Sequence, residues 1–426
     1  MSDQRFAHAS ERWSYQQASA VLEACNDTTW LFDKDLFQGL CEEMNRAFRT
    51  AYPETQLAYS WKTNYLQKLR QSSLNHGFFA EVVSDMEYEL ARHTGVAADR
   101  IILNGPIKSD ELLRQALVGG SIVNLDSLEE VRRVVVVGAT LPPDNTYNVG
   151  LRCNFPVEGA VVSRFGIDVE NGDLAKAVAQ LSATQNVHLS GLHCHFSGAR
   201  STASFAERIQ RIVGVAREAF GGRTPDYFDI GGGMAGPIPD SLRTQLGAAP
   251  SFDDYAASVG VALSAEYPTT PRPTLILEPG MALAARSMAF ACRVVSTKIA
   301  RQQLHVMTTG SIFDINPLRG DVDLPLRHLS PGSVQNSGQT WTVGGSTCME
   351  IDILHRSLRS DPAPGDILIF QNCGAYTNVF RSAFIRPAPG LVSIDAEGGW
   401  ALLEHPGSVA DVLSHAVAPE IDRSTG

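Results

Sequence analysis

The chain has 426 residues, about three times an ordinary single domain, which points to one barrel-sized domain plus a second. Its 44% hydrophobic and 19% charged residues supply ample core material and exclude an intrinsically disordered chain. Lys+Arg 35 against Asp+Glu 46 leaves a net charge of −11, which disfavours nucleic acid or an anionic membrane as main partner. No run of about 18 apolar residues predicts a spanning helix, and the polar opening MSDQRFAHASERWSYQQASA carries no secretory core. The seven cysteines (Cys25, Cys41, Cys153, Cys194, Cys292, Cys348 and Cys373) are odd in number and form no CxxC. That argues against a disulfide scaffold or cysteine-rich zinc site and for a reducing cytoplasm.

In chain order, residues 1–27 either join a later β domain or cap a barrel. From about 57 to 280 one unit recurs: a short apolar or β-branched run, then a polar helix-like stretch. The runs are LAYSWKTN (57–64), GFFAEVVS (77–84), IILNG (101–105), IVNLD (122–126), VGLRCNF (149–155), LSGLHCHFS (189–197), YFDIGGG (227–233) and TLILEPG (274–280). Between them, SDELLRQALVGG (109–120) opens on Ser109 and closes on glycines, as helix ends prefer. Phe205, Ile209, Ile212, Ala216 and Phe220 mark one helical face. Eight strand–helix units predict a (β/α)8 barrel over 28–287. Beyond 288 the runs AFACRVVSTK, LHVMTTGS, QTWTVGG, DILIFQN and GLVSIDAE lack helical periodicity and predict a C-terminal all-β domain over 288–426.

Barrels place chemistry at the C-terminal ends of their strands. The first run ends in Lys62-Thr63-Asn64, the sixth in His193-Cys194-His195, the seventh in Gly231-Gly232-Gly233 and the eighth in Glu278-Pro279-Gly280. Alone, Lys62 reads as a snorkelling surface residue, the glycines as a turn, and Glu278 as a salt-bridged strand end. The two histidines could form a metal pair, but core or stacking roles are commoner and no third ligand is evident, so no metal is expected. Together the set supplies an amine for an imine, backbone donors for a phosphate, an imidazole for stacking and a carboxylate for a pyridinium. Those are the parts that pyridoxal phosphate needs.

The order of motifs resembles the fold type III pyridoxal-phosphate-dependent decarboxylases, the ornithine/diaminopimelate/arginine decarboxylase family. The matches are YSWKTN, GFFAEVVSDMEYELA, NGPIKSDELLRQAL, IVNLDSLEEV, LRCNFP with RFGI, GLHCHFSGA, DIGGG, LEPG, STCMEIDIL and GDILIFQNCGAYT, from about residue 28 to 386. The resemblance implies an alanine-racemase-like barrel followed by a β domain. It implies that Lys62 forms the internal aldimine, His195 stacks on the ring, Gly231, Gly232 and Gly233 bind the phosphate, and Glu278 keeps the pyridine nitrogen protonated. It further implies that Cys348 reprotonates the carbanion, that Tyr376 lies near the cofactor, and that both serve a partner's site in a homodimer.

Departures bear on substrate. Met281 stands where the family carries a phosphate-binding arginine, with Arg286 as one substitute. The serine and glycine after His195-Phe196 are exchanged. Met349 follows Cys348, with Glu350 one place later, where the family recognises a distal ammonium with a carboxylate. DINPLRG (314–320) resembles a carboxylate-holding segment, so Arg319, with Arg381, could receive a distal carboxylate; the bland reading is two surface arginines. The expected function is therefore decarboxylation of an amino acid or conjugate bearing a distal carboxylate or other non-ammonium group, through external aldimine and quinonoid. The alternatives are a racemase or epimerase on the same scaffold, or a degenerate cofactor-binding paralogue. A dinucleotide fingerprint at Gly231, Gly233 and Gly236 fails because Pro237 and Pro239 interrupt the helix it needs. A small cofactor-carrier protein would lack the β domain and its cysteine.

Overall fold

A computed structural model describes residues 6–247, 249–269, 271–318, 322–381 and 383–414. It divides into two units, one of Phe6 with Asp35–Arg286, the other of Ala7–Lys34 with the chain from Ser287 onward. In the first, eight parallel strands close on themselves: Thr55–Ser60, Phe79–Val82, Ile101–Leu103, Ile122–Leu125, Tyr147–Asn154, Val187–His193, Tyr227–Asp229 and Thr274–Leu277. The first strand pairs with the eighth and the fourth with the fifth, so no edge is left. All eight expected runs become the eight barrel strands.

Local chemistry sets the intervening helices. The Ser109 hydroxyl accepts the Leu112 N–H at the start of Asp110–Gly119, and Gly120 ends that helix in the left-handed region. The face marked by Phe205, Ile209, Ile212 and Ala216 on helix Thr202–Ala219 is buried.

Period-two alternation organises the barrel interior. Ala58, Ile102, Tyr227 and Ile276 form an apolar cluster with Phe79 and Ile122 packed on it. Two residues further along the same strands stand Ser60, Glu81, Asn104, Asn124, Asp229 and Glu278, all nearly fully buried. Gly150 and Gly191 make room for this arrangement, because a Cβ at either would fall about 2 Å from Tyr227 (2.1 Å and 2.4 Å).

The second unit is mostly sheet. Its spine, Met288–Ala300, pairs antiparallel with Thr28–Asp33, Gln303–Thr308 and Ile367–Phe370. Thr28–Asp33 also pairs in parallel with Gly390–Ile394. Helix Tyr15–Ala24 lays Ala18, Val21 and Leu22 on this sheet. The expected barrel start at 28 therefore moves to 35. TTWLFD carries apolar residues on both faces, and Trp30, Leu31 and Phe32 are fully buried in the second unit's sheet. Residues 7–27 likewise belong to that unit. Among the described residues, no helix is long and apolar enough to cross a membrane.

Candidate active site

At the C-terminal end of the barrel a chain of hydrogen bonds links the predicted site residues. Lys62 sits on a short 3-10 turn, Trp61–Thr63, just past the first strand. Its Nζ donates to Glu81 Oε2 at 2.5 Å, and the Ser60 hydroxyl donates to the same oxygen at 2.6 Å. Glu81 is 1% exposed, so Lys62 leans inward rather than snorkelling. The Asn104 amide bridges Glu81 Oε1 (3.1 Å) and Glu278 Oε1 (2.5 Å). Asn124 donates to Asn104 Oδ1 (2.9 Å) and accepts from the Tyr227 hydroxyl (2.8 Å).

Glu278 has a second neighbour that motif reading passes over. Burial, and then the charge of Glu278, pushes the Asp229 carboxyl well above the usual carboxylate range, so it donates its proton to Glu278. Burial alone would raise Glu278 too, but His193, Lys62 and the Asp229 hydrogen bond outweigh it and hold Glu278 anionic. Asp229 Oδ1 meanwhile accepts the Gly231 N–H at 2.9 Å. Ligand-capable atoms of His193, Asp229 and Glu278 lie within 4.8 Å of one another, and His193 Nε2 stands 3.7 Å from Glu278 Oε2. His193 is lowered by burial, against the pull of Glu278. His195 is lowered well below the ordinary histidine value, first by burial, then by Lys62, Arg152 and Arg208. Its Nδ1 accepts the Gly232 N–H at 3.0 Å, which leaves the ring proton on Nε2.

The glycines are held against the site. A Cβ on Gly231 would meet His195 Nδ1 at 2.6 Å, one on Gly232 would meet the Glu278 carbonyl at 2.3 Å, and Gly233 has φ +91°. Beneath them lies Arg208, 0% exposed, donating to the carbonyls of Ile230 (3.1 Å), Gly232 (2.9 Å), Phe196 (3.3 Å) and Ala199 (2.8 Å).

A family model described as "Pyridoxal-dependent decarboxylase, pyridoxal binding domain" matches residues 39–285. The chain belongs to this family of pyridoxal-dependent decarboxylases. It is 30% identical over 363 residues to the diaminopimelate decarboxylase of Actinosynnema pretiosum subsp. auranticum, covering 82% of this chain and 80% of that one. It is 24% identical over 433 residues to the L-glutamyl-[BtrI acyl-carrier protein] decarboxylase of Niallia circulans, covering 95% and 97%. Its fold is like that of the diaminopimelate decarboxylase of M. jannaschii (TM-score 0.84, 22% identity, 94% of each chain covered). This decarboxylase thus acts on an amino-acid substrate with pyridoxal phosphate as cofactor.

The decarboxylase's barrel residues fit that cofactor. They offer an amine in Lys62, an anionic carboxylate in Glu278, a neutral imidazole in His195 and a backbone loop where a Cβ is barred at two of its three glycines. The remaining predicted residues lie in the second unit. Cys348 is an exposed free thiol on the turn after strand Trp341–Gly344, followed by Met349 (39% exposed) and the exposed Glu350. Asp352, 3% exposed, pins that turn: its Oδ2 accepts the Thr347 N–H (3.0 Å) and hydroxyl (2.7 Å), while Oδ1 accepts the Ile312 N–H (2.7 Å). Tyr376 is half-buried with φ +58°, in the left-handed region that a tyrosine rarely adopts. Arg381 pairs with Glu404 and lines a cavity with Arg386, Thr309, Asp314 and Thr347. Arg319 lies outside the described residues. Arg286, expected as a phosphate substitute, donates to the Phe6 carbonyl.

Asp229, Glu81, Asn104, Asn124 and Arg208 escape motif reading. The signal for the first four is positional, since each is a polar residue near the end of a short apolar run, in step with Glu278.

Proposed function

We propose that this decarboxylase takes an amino acid or amino-acid conjugate whose far end carries a carboxylate or another non-ammonium group. The observation that carries the reading is the Asp352-pinned turn, where an exposed Met349 follows Cys348 and the cavity at its base is lined by two arginines, Arg381 and Arg386. A thioether cannot offer the ion pair that a distal ammonium requires, whereas guanidinium groups suit carboxylates. Because Glu404 already engages Arg381, a substrate carboxylate would exchange with it or meet Arg386. Two relatives are a diaminopimelate decarboxylase and an L-glutamyl-[BtrI acyl-carrier protein] decarboxylase, named for an amino acid with a second carboxylate and for an amino-acid conjugate.

Pyridoxal phosphate, when bound, supplies an aldehyde that condenses with amines and a pyridinium that withdraws electrons from Cα. On this reading Lys62, its amine oriented by Glu81, would hold the cofactor through its aldehyde. Glu278, held anionic by His193, Lys62 and the Asp229 hydrogen bond, would pair with the pyridinium N–H. Neutral His195 would pack against the cofactor ring, and the backbone of Gly231, Gly232 and Gly233 would receive the phosphate. Cys348 and Tyr376 would serve the site of a second copy in a homodimer, with Cys348 as the proton source for Cα.

The test is CO2 release from diaminopimelate, glutamate, a glutamyl thioester, ornithine and lysine. Turnover of the carboxylate-bearing or conjugated substrates, with loss of the protein's yellow absorbance in Lys62→Ala, supports the reading. Faster turnover of ornithine or lysine overturns the substrate class, and absorbance surviving in Lys62→Ala overturns the role of Lys62.

A further inference from the structure

One cavity of the second unit holds a guanidinium that no described carboxylate pairs with. Thr309, Ser311, Asp314, Thr347, Arg381 and Arg386 line it. Its free volume is about 40 Å³. At about 10–15 Å³ per water that is roughly three waters, enough for a carboxylate and too little for a ring. Most of the polar groups around it are already committed. The hydroxyls of Ser311 and Thr347 donate to Asp352 (3.0 Å and 2.7 Å), and that of Thr309 donates to the Asp27 carbonyl (2.7 Å). Arg381 is paired with Glu404.

Two groups are left over. Arg386 Nη1 donates to the Thr309 carbonyl at 3.2 Å, which places the guanidinium at the cavity wall, and among the described residues it makes no ion pair. Asp314 Oδ2 accepts the Ser311 N–H at 3.0 Å, while its Oδ1 takes no hydrogen bond among the described residues. Burial, with the charge of Asp352 adding to it, pushes the Asp314 carboxyl up to about 7 against the pull of the Ser311 N–H and of Arg386. Near neutrality it is as often a donor as an anion. With Arg381 balanced, Asp314 half protonated and Arg386 unpaired, the cavity is net positive and suits an anion. Ser346 also lines it, and Ser346 and Thr347 run directly into Cys348, the thiol read as the proton source for Cα.

We propose that Arg386 and Asp314 together receive the far carboxylate of the substrate, and that Asp314 takes up a proton as that carboxylate binds. The inference rests on the substrate class proposed above. The planar fork of Arg386 donates to the incoming oxygens. Protonated Asp314 donates as well, because two carboxylates side by side cannot both stay ionised. The proton comes from solvent, and no covalent bond to carbon changes. Asp352 and Glu404, the acids that hold the cavity's lining, are occupied by hydroxyls and by Arg381, which leaves Asp314 Oδ1 as the acid oxygen open to a ligand.

The probe is glutarate, a dicarboxylate, titrated calorimetrically into the full-length holoenzyme, with glutaramide as its uncharged control. Glutarate should bind, and glutaramide should bind at least about tenfold more weakly. Arg386→Gln should weaken glutarate by about 10- to 100-fold, and Arg386→Lys, which keeps the charge, by less. Titration in two buffers of different ionisation heat counts protons. About half a proton should be taken up per glutarate at pH 7, and close to none in Asp314→Asn. Asp314→Asn keeps an N–H donor, so its affinity at pH 7 should stay within about threefold and should not fall as pH rises. That proton count keeps the proposal falsifiable whatever Arg386→Gln does to the fold. No binding of glutarate, binding that ignores Arg386→Gln, or binding without proton uptake overturns the proposal. If glutarate binds through Arg386 yet ornithine or lysine turns over fastest, the substrate class fails and the carboxylate pocket stands. If carboxylate-bearing substrates turn over fastest and Arg386→Gln leaves their KM unchanged, the class stands and the pocket is excluded.

Discussion

At the scale of single residues, the chemistry depends on which carboxyl keeps its proton. Asp229 and Glu278 divide one proton because two buried carboxylates side by side cannot both ionise. Asp229→Ala removes the donor and should cost about 1–3 kcal/mol of stability in denaturant unfolding. Asp229→Asn keeps an N–H facing Glu278 and should lose less than about half of that. A second carboxyl makes a pH prediction. Burial is the largest influence on Asp314, with Asp352 adding to it, and its pKa is pushed up to about 7. A carboxyl with a raised native pKa stays protonated while its unfolded counterpart ionises. Its contribution is therefore full below about pH 4 and declines as pH rises toward about 7. Asp314→Asn should gain stability over the unaltered chain through that window, and the gain should level off above it. A difference that stays flat with pH would show that Asp314 does not titrate there.

At the scale of elements, a buried ion pair ties the loop after strand Ile101–Leu103 to the first turn of helix Leu128–Gly138. Lys108 Nζ, 0% exposed, donates to the Gly105 carbonyl (2.7 Å) and to Glu130 (2.8 Å), while Glu130 also accepts the Asp126 N–H (2.8 Å). Lys108→Met strands Glu130 and should cost about 3–5 kcal/mol, and Lys108→Met with Glu130→Leu should recover part of it. Denaturant unfolding of both variants decides. The elements themselves are legible in the sequence because each barrel strand is a short apolar run between capped helices, as Ser109 and Gly120 illustrate. The polar ring inside the barrel is much less legible. Ile101–Leu103 and Tyr227–Asp229 are three-residue strands, too short to display alternation, so Asn104 passes for the start of a loop and Asp229 for the end of a turn motif. Arg208 gives no signal at all, since an arginine on a helix reads as solvated until the carbonyls it fills are visible.

At the scale of the whole molecule, the proposed division of labour between copies can be tested by mixing. Lys62→Ala and Cys348→Ala chains should each be nearly inactive. Co-refolded in equal amounts, random dimers should regain about a quarter of full activity, because half of them carry one intact site of two. No regain would place Lys62 and Cys348 in the same copy's site. The two-domain division is legible where helical periodicity stops near 288, but not at the amino end. TTWLFD looks the same whether it opens a barrel or fills a sheet, and only its pairing with Met288–Ala300 decides.

That early strand carries a cost in time. Trp30, Leu31 and Phe32 leave the ribosome more than two hundred residues before Met288 is made. At about 5–20 residues per second they wait on the order of tens of seconds with an unpaired, oily edge. During that interval the nascent chain is a target for chaperones and for its own neighbours. A shortened chain that stops near residue 286 would keep that edge bare for good, and removing residues 7–34 along with the C-terminal unit is the better way to obtain a well-behaved barrel.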